Sequence, residues 1–473
     1  VVEAGKPWRE ADADVTEAID FLEYYAREML RLYRAKDLSD IPGEVDLYFY
    51  EPRGVAVVIA PWNFPLAIPT GMVSAALVAG NTVVFKPANP TPVIGYALVR
   101  ILHEAGVPGG ALNFLPGPGS QIGDHLVGDP RVDLIAFTGS LQVGQSIMQK
   151  AVVVAPGQRN IKRVIAELGG KNAIIIDTDA DLDAAVDGVL VSAFGYAGQK
   201  CSACSRVIVM DEVYDQFVHR LTQAAASLTI GDPADPGTRL GPVITEEART
   251  RIMEYVEKGK AEATLAYPTA DMGSIPALTV ATDPAPAVET SPSPSPTPAM
   301  TDEVGMTAEM AGDSEAPADV AGEDASGAPA EAATDDTAGI AAGAPPDAEV
   351  PAVVESPPAG PGYFLHPHVF VDVPAHGVIA QEEIFGPVLS VFKVAKFSDA
   401  LEAALAVRYG LTGGLYSRNP AHIRRAYNEF RVGNLYINRP ITGAMVGRQP
   451  FGGSRMSGVG SKAGGPDYLL QFM

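Results

Sequence analysis

The chain has 473 residues, enough for two or three domains, and its 47% hydrophobic content permits large buried cores. A formal net charge of −23 argues against nucleic acid or an anionic membrane as a partner. Only two cysteines, Cys201 and Cys204, rule out a disulfide framework and fit a reducing, cytoplasmic compartment. Residues 9–36 predict one amphipathic helix with Ile19, Leu22, Ala26 and Met29 along its apolar side. Short apolar runs then alternate with helical patterns. Strands are expected at Val55–Ile59, Thr82–Phe85, Ala111–Leu115 and Asp133–Phe137, with helices at 66–79, 93–105 and 120–127 between them. A second region, starting near Glu167, predicts a strand at Asn172–Ile176, a helix at 181–197, a strand at Arg206–Met210 and a helix at 211–228. Such alternation implies βαβ units and parallel sheets.

Residues 268–361 break the pattern. They hold no Lys, Arg, His, Phe, Tyr or Trp, and 17 Asp plus Glu among Ala, Pro, Thr and Ser. A segment of that composition buries too little apolar surface to offset its ordering entropy, so it reads as a disordered acidic insert. Removing its acids leaves a net charge of −6, so the acidity belongs to the insert and not to the folded body. A surface loop fits it better than an interaction tail, because loop entropy grows slowly with length. No apolar run approaches the roughly 20 residues of a membrane span. The start, Val1 to Lys6, has no signal-peptide pattern and no initiator Met, and the chain stops inside the apolar Leu470–Met473. Both ends are expected to be cuts from a longer protein, so a missing targeting signal says little.

Chemistry gathers at strand ends. Gly198-Gln199-Lys200-Cys201-Ser202-Ala203-Cys204 has three readings: part of a zinc site, a redox pair, or one catalytic thiolate beside a packed Cys204. A zinc site needs about four ligands, and no second Cys pair exists, so no metal is expected. Glu167 ends an apolar strand and precedes Gly169-Gly170; it is either a carboxylate at a strand mouth or an ordinary capping or paired Glu. Pro61-Trp62-Asn63-Phe64-Pro65 follows a strand and places amide donors where an oxyanion would develop, or makes a plain turn. Lys86, in Phe85-Lys86-Pro87-Ala88, stands at the carboxyl edge where open α/β sheets bind ligands, or is a solvated loop lysine. Phe137-Thr138-Gly139-Ser140, with Gly144 following, offers backbone N–H groups at a helix start, a weak sign of pyrophosphate binding. Glu383, in Glu382-Glu383-Ile384-Phe385-Gly386-Pro387, is an equally weak candidate for a ribose hydroxyl.

Taken together and in order, PWNFP at 61–65, FKPA at 85–88, FTGS at 137–140, ELGGK at 167–171, GQKC at 198–201, EEIFGP at 382–387 and PFGG at 450–453 resemble the aldehyde dehydrogenase superfamily. The resemblance implies an α/β fold with two Rossmann-like parallel-sheet lobes and a small oligomerisation β element. Residue by residue, it implies Cys201 as nucleophile, Glu167 as base and Asn63 as oxyanion donor. It also implies Lys86 and Glu383 on the ribose hydroxyls of NAD, Ser140 with Gly139 at the pyrophosphate, Phe385 against the nicotinamide, and Trp62 and Asn89 in the same cofactor set. Asn89 stands where many members carry a Glu that favours NAD, so NADP is open as an alternative.

Residues 198–206, the stretch 3–27 and 441–453 look like the branch of the family acting on glutamate γ-semialdehyde. That likeness implies Ser202, Gly443, Ala444, Phe451 and Phe64 at the substrate, and a proline dehydrogenase, fused or separate, upstream. The implied domains are 1–169 for the cofactor, with 46–53 an oligomerisation strand, and 170–436 for catalysis, interrupted by 268–361. Residues 437–473 form the return segment, with 466–473 a C-terminal oligomerisation strand in a homo-oligomer. The competing readings are a dehydrogenase of another aldehyde and a non-catalytic scaffold using the acidic insert.

Overall fold

The computed structural model describes residues 1–39, 41–269 and 362–473. The insert expected at 268–361 lies, beyond its first two residues, outside the described residues. Among the described residues no helix is long and apolar enough to cross a membrane.

The chain opens with α1 (Trp8–Leu32), followed by a short arm in which β1 (Lys36–Asp37) and β2 (Leu47–Tyr48) pair antiparallel. A βαβ run follows: β3 (Val55–Ile59), α2 (Ala67–Val78), β4 (Thr82–Lys86), α3 (Pro92–Glu104), β5 (Leu112–Phe114), α4 (Gly119–Gly128), β6 (Leu134–Thr138), α5 (Leu141–Ala151) and β7 (Arg163–Glu167). The second run is β8 (Asn172–Ile176), α6 (Leu182–Phe194), β9 (Cys204–Met210), α7 (Asp211–Ala226), α8 (Glu246–Glu262), β10 (Thr264–Tyr267), β11 (His368–Val371), α9 (Val378–Gln381) and β12 (Val388–Val394). It continues with α10 (Phe397–Leu405), β13 (Tyr409–Gly410), β14 (Thr412–Tyr416), α11 (Pro420–Glu429) and β15 (Asn434–Ile437), before β16 (Ser454–Arg455) and β17 (Gly458–Val459).

The first sheet has the order β17-β7-β6-β3-β4-β5 and is parallel except for β17. The second has the order β10-β11-β12-β9-β8-β14-β15 and is parallel except for β10. Central strands such as VAVVI and NAIII are unbroken apolar runs, as strands covered on both faces require. In the first sheet the chain winds outward from the β3–β6 pair; in the second it starts at β8–β9, crosses to the edge strand β10 and returns inward through β11 and β12, and the α/β class read from the sequence is the observed one.

Three local expectations fail, each for a physical reason. The buried side of α1 is Asp14, Ala18, Phe21, Tyr25 and Leu32, while Ile19 is 56% exposed and Leu22 and Ala26 face solvent. Phe21 and Tyr25 bury more surface than the aliphatic stripe would, stacking with one another and with Tyr468. The expected helix 181–197 stops at Phe194: Gly195 caps it, and Tyr196 and Ala197 then take left-handed φ of 53° and 52°. Residues 466–473 form no exposed strand. Leu469–Phe472 is a 3-10 turn, with Tyr468, Leu469 and Phe472 buried in the same core as α2. The turn is pinned there by Asn81 Nδ2 donating to the Phe472 carbonyl at 2.9 Å and by the Arg163 guanidinium donating to the Leu470 and Gln471 carbonyls. Each apolar side chain buried this way contributes roughly 1.5–3 kcal/mol, which a free edge strand would forgo.

Candidate active site

Strand register lines up the motifs. Ile59 is level with Lys86 on one side and Phe137 on the other, and Thr138 is level with Glu167. The segments after β3, β4, β6 and β7 therefore leave one carboxyl edge side by side. The Cys201 loop reaches that edge from the amino end of β9, where Asn172 is level with Cys204.

Asn172 clamps the loop: its Nδ2 donates to the Cys201 carbonyl at 2.7 Å and to that of Ala203 at 2.9 Å, while its Oδ1 accepts from Thr412 N at 3.0 Å. Cys201 is half-buried and Cys204 buried; both are free thiols. Cys204 Sγ contacts the Arg206 carbonyl at 3.3 Å, as a packed residue would. Among the described residues no group of three or more His, Cys, Asp or Glu is placed to hold a metal ion. Asn63 is buried, and its Nδ2 donates one proton to the Gln199 carbonyl at 3.0 Å, which leaves the second amide proton for a ligand.

Burial, then the charges of Glu383 and Glu167, push the Cys201 thiol up to about 12. Burial likewise raises the Glu167 carboxyl to about 8, opposed by Gly453 N, which donates to its Oε2 at 3.2 Å, and by the charge of Lys462. The pair Gly169-Gly170 exists for close approach. A Cβ on Gly169 would lie 1.9 Å from Glu383 Oε2, and one on Gly170 2.8 Å from the Cys201 carbonyl. Glu383 accepts from Gly170 N at 2.9 Å, and burial raises its carboxyl.

Of the other expected cofactor residues, Lys86 is buried with its Nζ donating to the Pro87 carbonyl, and burial lowers its ammonium. Ser140 is exposed as the N-cap of α5, accepting from Val143 N at 3.3 Å, with Gly139 before it. Phe385 meets Trp62 edge-on at 5.6 Å. Asn89 is exposed. These residues share the carboxyl edge of the first sheet and the facing 383–385 turn.

One cavity of about 310 Å³ collects Cys201, Ser202, Phe64, Phe451, Gly443 and Ala444, so the expected nucleophile and every expected substrate residue meet in it. The other wall was missed by sequence reasoning. It is a face of α1 bearing Glu10, Ala13, Glu17 and Asp20, with Lys200 beside it. Their spacing of three and four residues was the available signal, and it resembles any solvated helix face. Lys200 pairs with Glu10 at 2.6 Å. Burial, then the charge of Asp14, raises the Glu17 carboxyl to about 7.

A parallel two-sheet frame with a cysteine, a carboxylate and an amide meeting at facing strand ends defines the class. Residues 1–287 and 338–473 match the aldehyde dehydrogenase family, and the chain belongs to it. The match omits 288–337, within the acidic segment. The chain is 45% identical, over its whole length and 75% of the other, to the 1-pyrroline-5-carboxylate dehydrogenase of Geobacillus thermodenitrificans. Identity to that of Bacillus subtilis is 43% over the same shares. A Thermus 1-pyrroline-5-carboxylate dehydrogenase solved with bound NAD superposes with a TM-score of 0.79 at 42% identity, covering 99% of this chain and 74% of that one. Proline utilization A of Bdellovibrio bacteriovorus gives a TM-score of 0.80 at 44% identity, with the whole of this chain spanning only 40% of that one.

Proposed function

We propose that the chain oxidises glutamate γ-semialdehyde, the open form of Δ1-pyrroline-5-carboxylate, to glutamate, with NAD as oxidant. The cavity carries this reading. It has the size of a small-molecule site, places Cys201 at one end, and offers groups for both charges of an amino acid. The Ser202 hydroxyl and the backbone N–H groups of Gly443 and Ala444 suit the carboxylate; Glu17 and Asp20 suit the ammonium. The 1-pyrroline-5-carboxylate dehydrogenases similar to this chain support the same substrate.

In this reading Cys201 attacks the aldehyde carbon as its proton passes toward Glu167, a stronger base than an ordinary carboxylate because its pKa is about 8. With the thiol at about 12, thiolate is scarce at rest, so attack depends on stabilising the product oxyanion. The free Asn63 amide proton and the Cys201 backbone N–H supply that stabilisation. The residues present fit a dinucleotide: a lysine and a carboxylate for ribose hydroxyls at Lys86 and Glu383, and the α5 amino end with Ser140 for a pyrophosphate. When bound, NAD supplies the hydride acceptor. Glu167 gives up the cysteine proton to solvent, and the thioester left on Cys201 is hydrolysed by water that the ionised Glu167 then deprotonates, releasing the acid.

The parallel strands of the first sheet, all within 1–169, carry the cofactor, and the region from 170 to 436 carries the nucleophile. Tyr48 and Phe49, 47% and 56% exposed on the β1–β2 arm, suit contact with a second copy in a homo-oligomer. A cytoplasmic location fits the two free thiols. A proline-oxidising activity, fused or separate, is the upstream partner this substrate calls for. Asn89 carries no charge to repel a 2′-phosphate, so NADP is the alternative oxidant to NAD at this site. The test compares reduced-nicotinamide formation from glutamate γ-semialdehyde, succinic semialdehyde and a simple aliphatic aldehyde. Strong preference for the first is expected, and activity confined to the others would overturn the substrate assignment while sparing the mechanism.

A further inference from the structure

Lys6 has no role in the site described above, yet it is among the most enclosed charges of the described residues. It is 1% exposed and its partner Asp14 is 4% exposed. Its Nζ donates to Asp14 Oδ2 at 3.1 Å and to the main-chain carbonyl of Asn63 at 3.0 Å, and stands 3.9 Å over the Phe64 ring. All three ammonium directions are thus occupied, two of them by the Asn63-Phe64 dipeptide. Asp14 spends its other oxygen, Oδ1, on Ala67 N at 2.8 Å, at the start of α2. The pair therefore grips the 63–67 turn at both ends.

The chain around Lys6 is shaped for that placement. Gly5 has a left-handed φ of +64°, and a Cβ there would lie 2.9 Å from Pro242 Cγ, so only glycine turns the chain inward at this point. The Tyr196 hydroxyl donates to the Ala4 carbonyl at 2.7 Å, and its ring lies 5.2 Å from Lys6 Nζ. The same turn is held from the other side by Asn63 Nδ2 on the Gln199 carbonyl, two residues before Cys201. A buried ion pair is costly to desolvate and adds little net stability, so one spent on the main chain of a single asparagine needs a reason beyond folding.

We propose that Lys6, anchored by Asp14, is a positioning residue for the reaction: it fixes the main chain at Asn63 so that the free amide proton faces the oxygen of the aldehyde that Cys201 attacks. The proposal rests on Asn63 being an oxyanion donor. Misplacing a reacting group by about 1 Å costs on the order of 100-fold in rate, so loss of this anchor should act on kcat rather than on NAD affinity.

The experiment is a double-mutant cycle in the full chain, with glutamate γ-semialdehyde and NAD. The Lys6→Met/Asp14→Asn variant removes both charges together, so no lone ion is left buried. Its kcat should fall about 10- to 100-fold, with the NAD dissociation constant within a factor of two or so and KM changed less than kcat. In an Asn63→Ala background the same double change should cost almost nothing further, because its target is already gone. Full multiplicative loss in both backgrounds would overturn the proposal while leaving Asn63 as oxyanion donor. So would an unchanged kcat in the wild-type background. An Asn63→Ala enzyme of normal kcat would sink the oxyanion assignment and the role of Lys6 with it. If the double variant does not fold, Lys6→Arg, which keeps the charge pair but shifts the donor on the Asn63 carbonyl, is read by the same cycle, with a smaller kcat loss that again vanishes when Asn63 is Ala.

Discussion

One wall of the cavity proposed for the substrate carries Cys201 and Ser202 on a loop clamped by Asn172, and the opposite wall is one face of α1. The first is tied to sheet register: moving it means breaking strand pairs or the Asn172 clamp. The second is a helix side whose Glu17 and Asp20 need only point into the cavity. The difference separates chemistry from recognition. Changes to the loop and strand-end groups should lower kcat, and changes to the helix wall should raise KM.

The sharpest test of that division is Cys201→Ala, expected to lower kcat on the order of 10⁶-fold, the scale on which losing a nucleophile acts. Cys204→Ser should keep most activity, since Cys204 is buried against the Arg206 carbonyl and a hydroxyl still donates there. Equal loss in both steady-state assays would return the two cysteines to a shared redox or metal role. Next in size is Glu167→Gln, expected to cost about 10²- to 10⁴-fold in kcat. Below about 8 the Glu167 carboxyl holds its proton and cannot accept another, so the wild-type rate should climb as pH rises through that value. A Glu167→Gln profile that kept the same limb would assign it to another group.

Much of the catalytic wall was legible because each motif is contiguous and ends a strand, so local sequence and sheet topology specify it together. Glu167 with Gly169-Gly170 and Pro61–Pro65 are of this kind. The helix wall was not legible. Glu10, Glu17 and Asp20 look like solvated charges until the cavity is seen beside them, and Lys6 reaches a carbonyl 57 residues away. The end of the chain was misread for a related reason. Leu469 to Phe472 is a short apolar run, and periodicity alone cannot tell an edge strand from a buried turn. The stripe Ile19, Leu22, Ala26 and Met29 is periodic, yet packing follows the aromatic Phe21 and Tyr25 on the other face.

The helix wall yields a smaller effect of the opposite kind. Glu17→Gln keeps the shape and removes the charge, so KM for glutamate γ-semialdehyde should rise about tenfold or more while kcat holds. Succinic semialdehyde has no ammonium, and its KM should not rise. A kcat loss with both substrates would show that α1 supports the chemistry through Glu17 itself, and the division between the walls would fail.

The mildest change tests whether the base is tuned from outside its own strand. Lys462 lies near Glu167, separated by Gly452: a Cβ on Gly452 would be 2.9 Å from Glu167 Oε1 and 3.1 Å from Lys462 Cγ. The Lys462 ammonium donates to the Gly433 carbonyl, so it is held in place and not free to follow the carboxylate. Its positive charge favours ionised Glu167 and opposes the upward push of burial. Replacing it by Met removes that opposition, and the Glu167 carboxyl then holds its proton to higher pH. The rising limb of the pH–kcat profile should therefore move to the alkaline side of the wild-type position, with the plateau rate nearly unchanged, because ionised Glu167 is the same base once formed. A limb that stayed in place while the plateau fell would make Lys462 a packing residue for the Pro450–Gly453 segment. A limb that disappeared would mean that Lys462 itself, and not Glu167, gives up the proton whose loss starts the reaction.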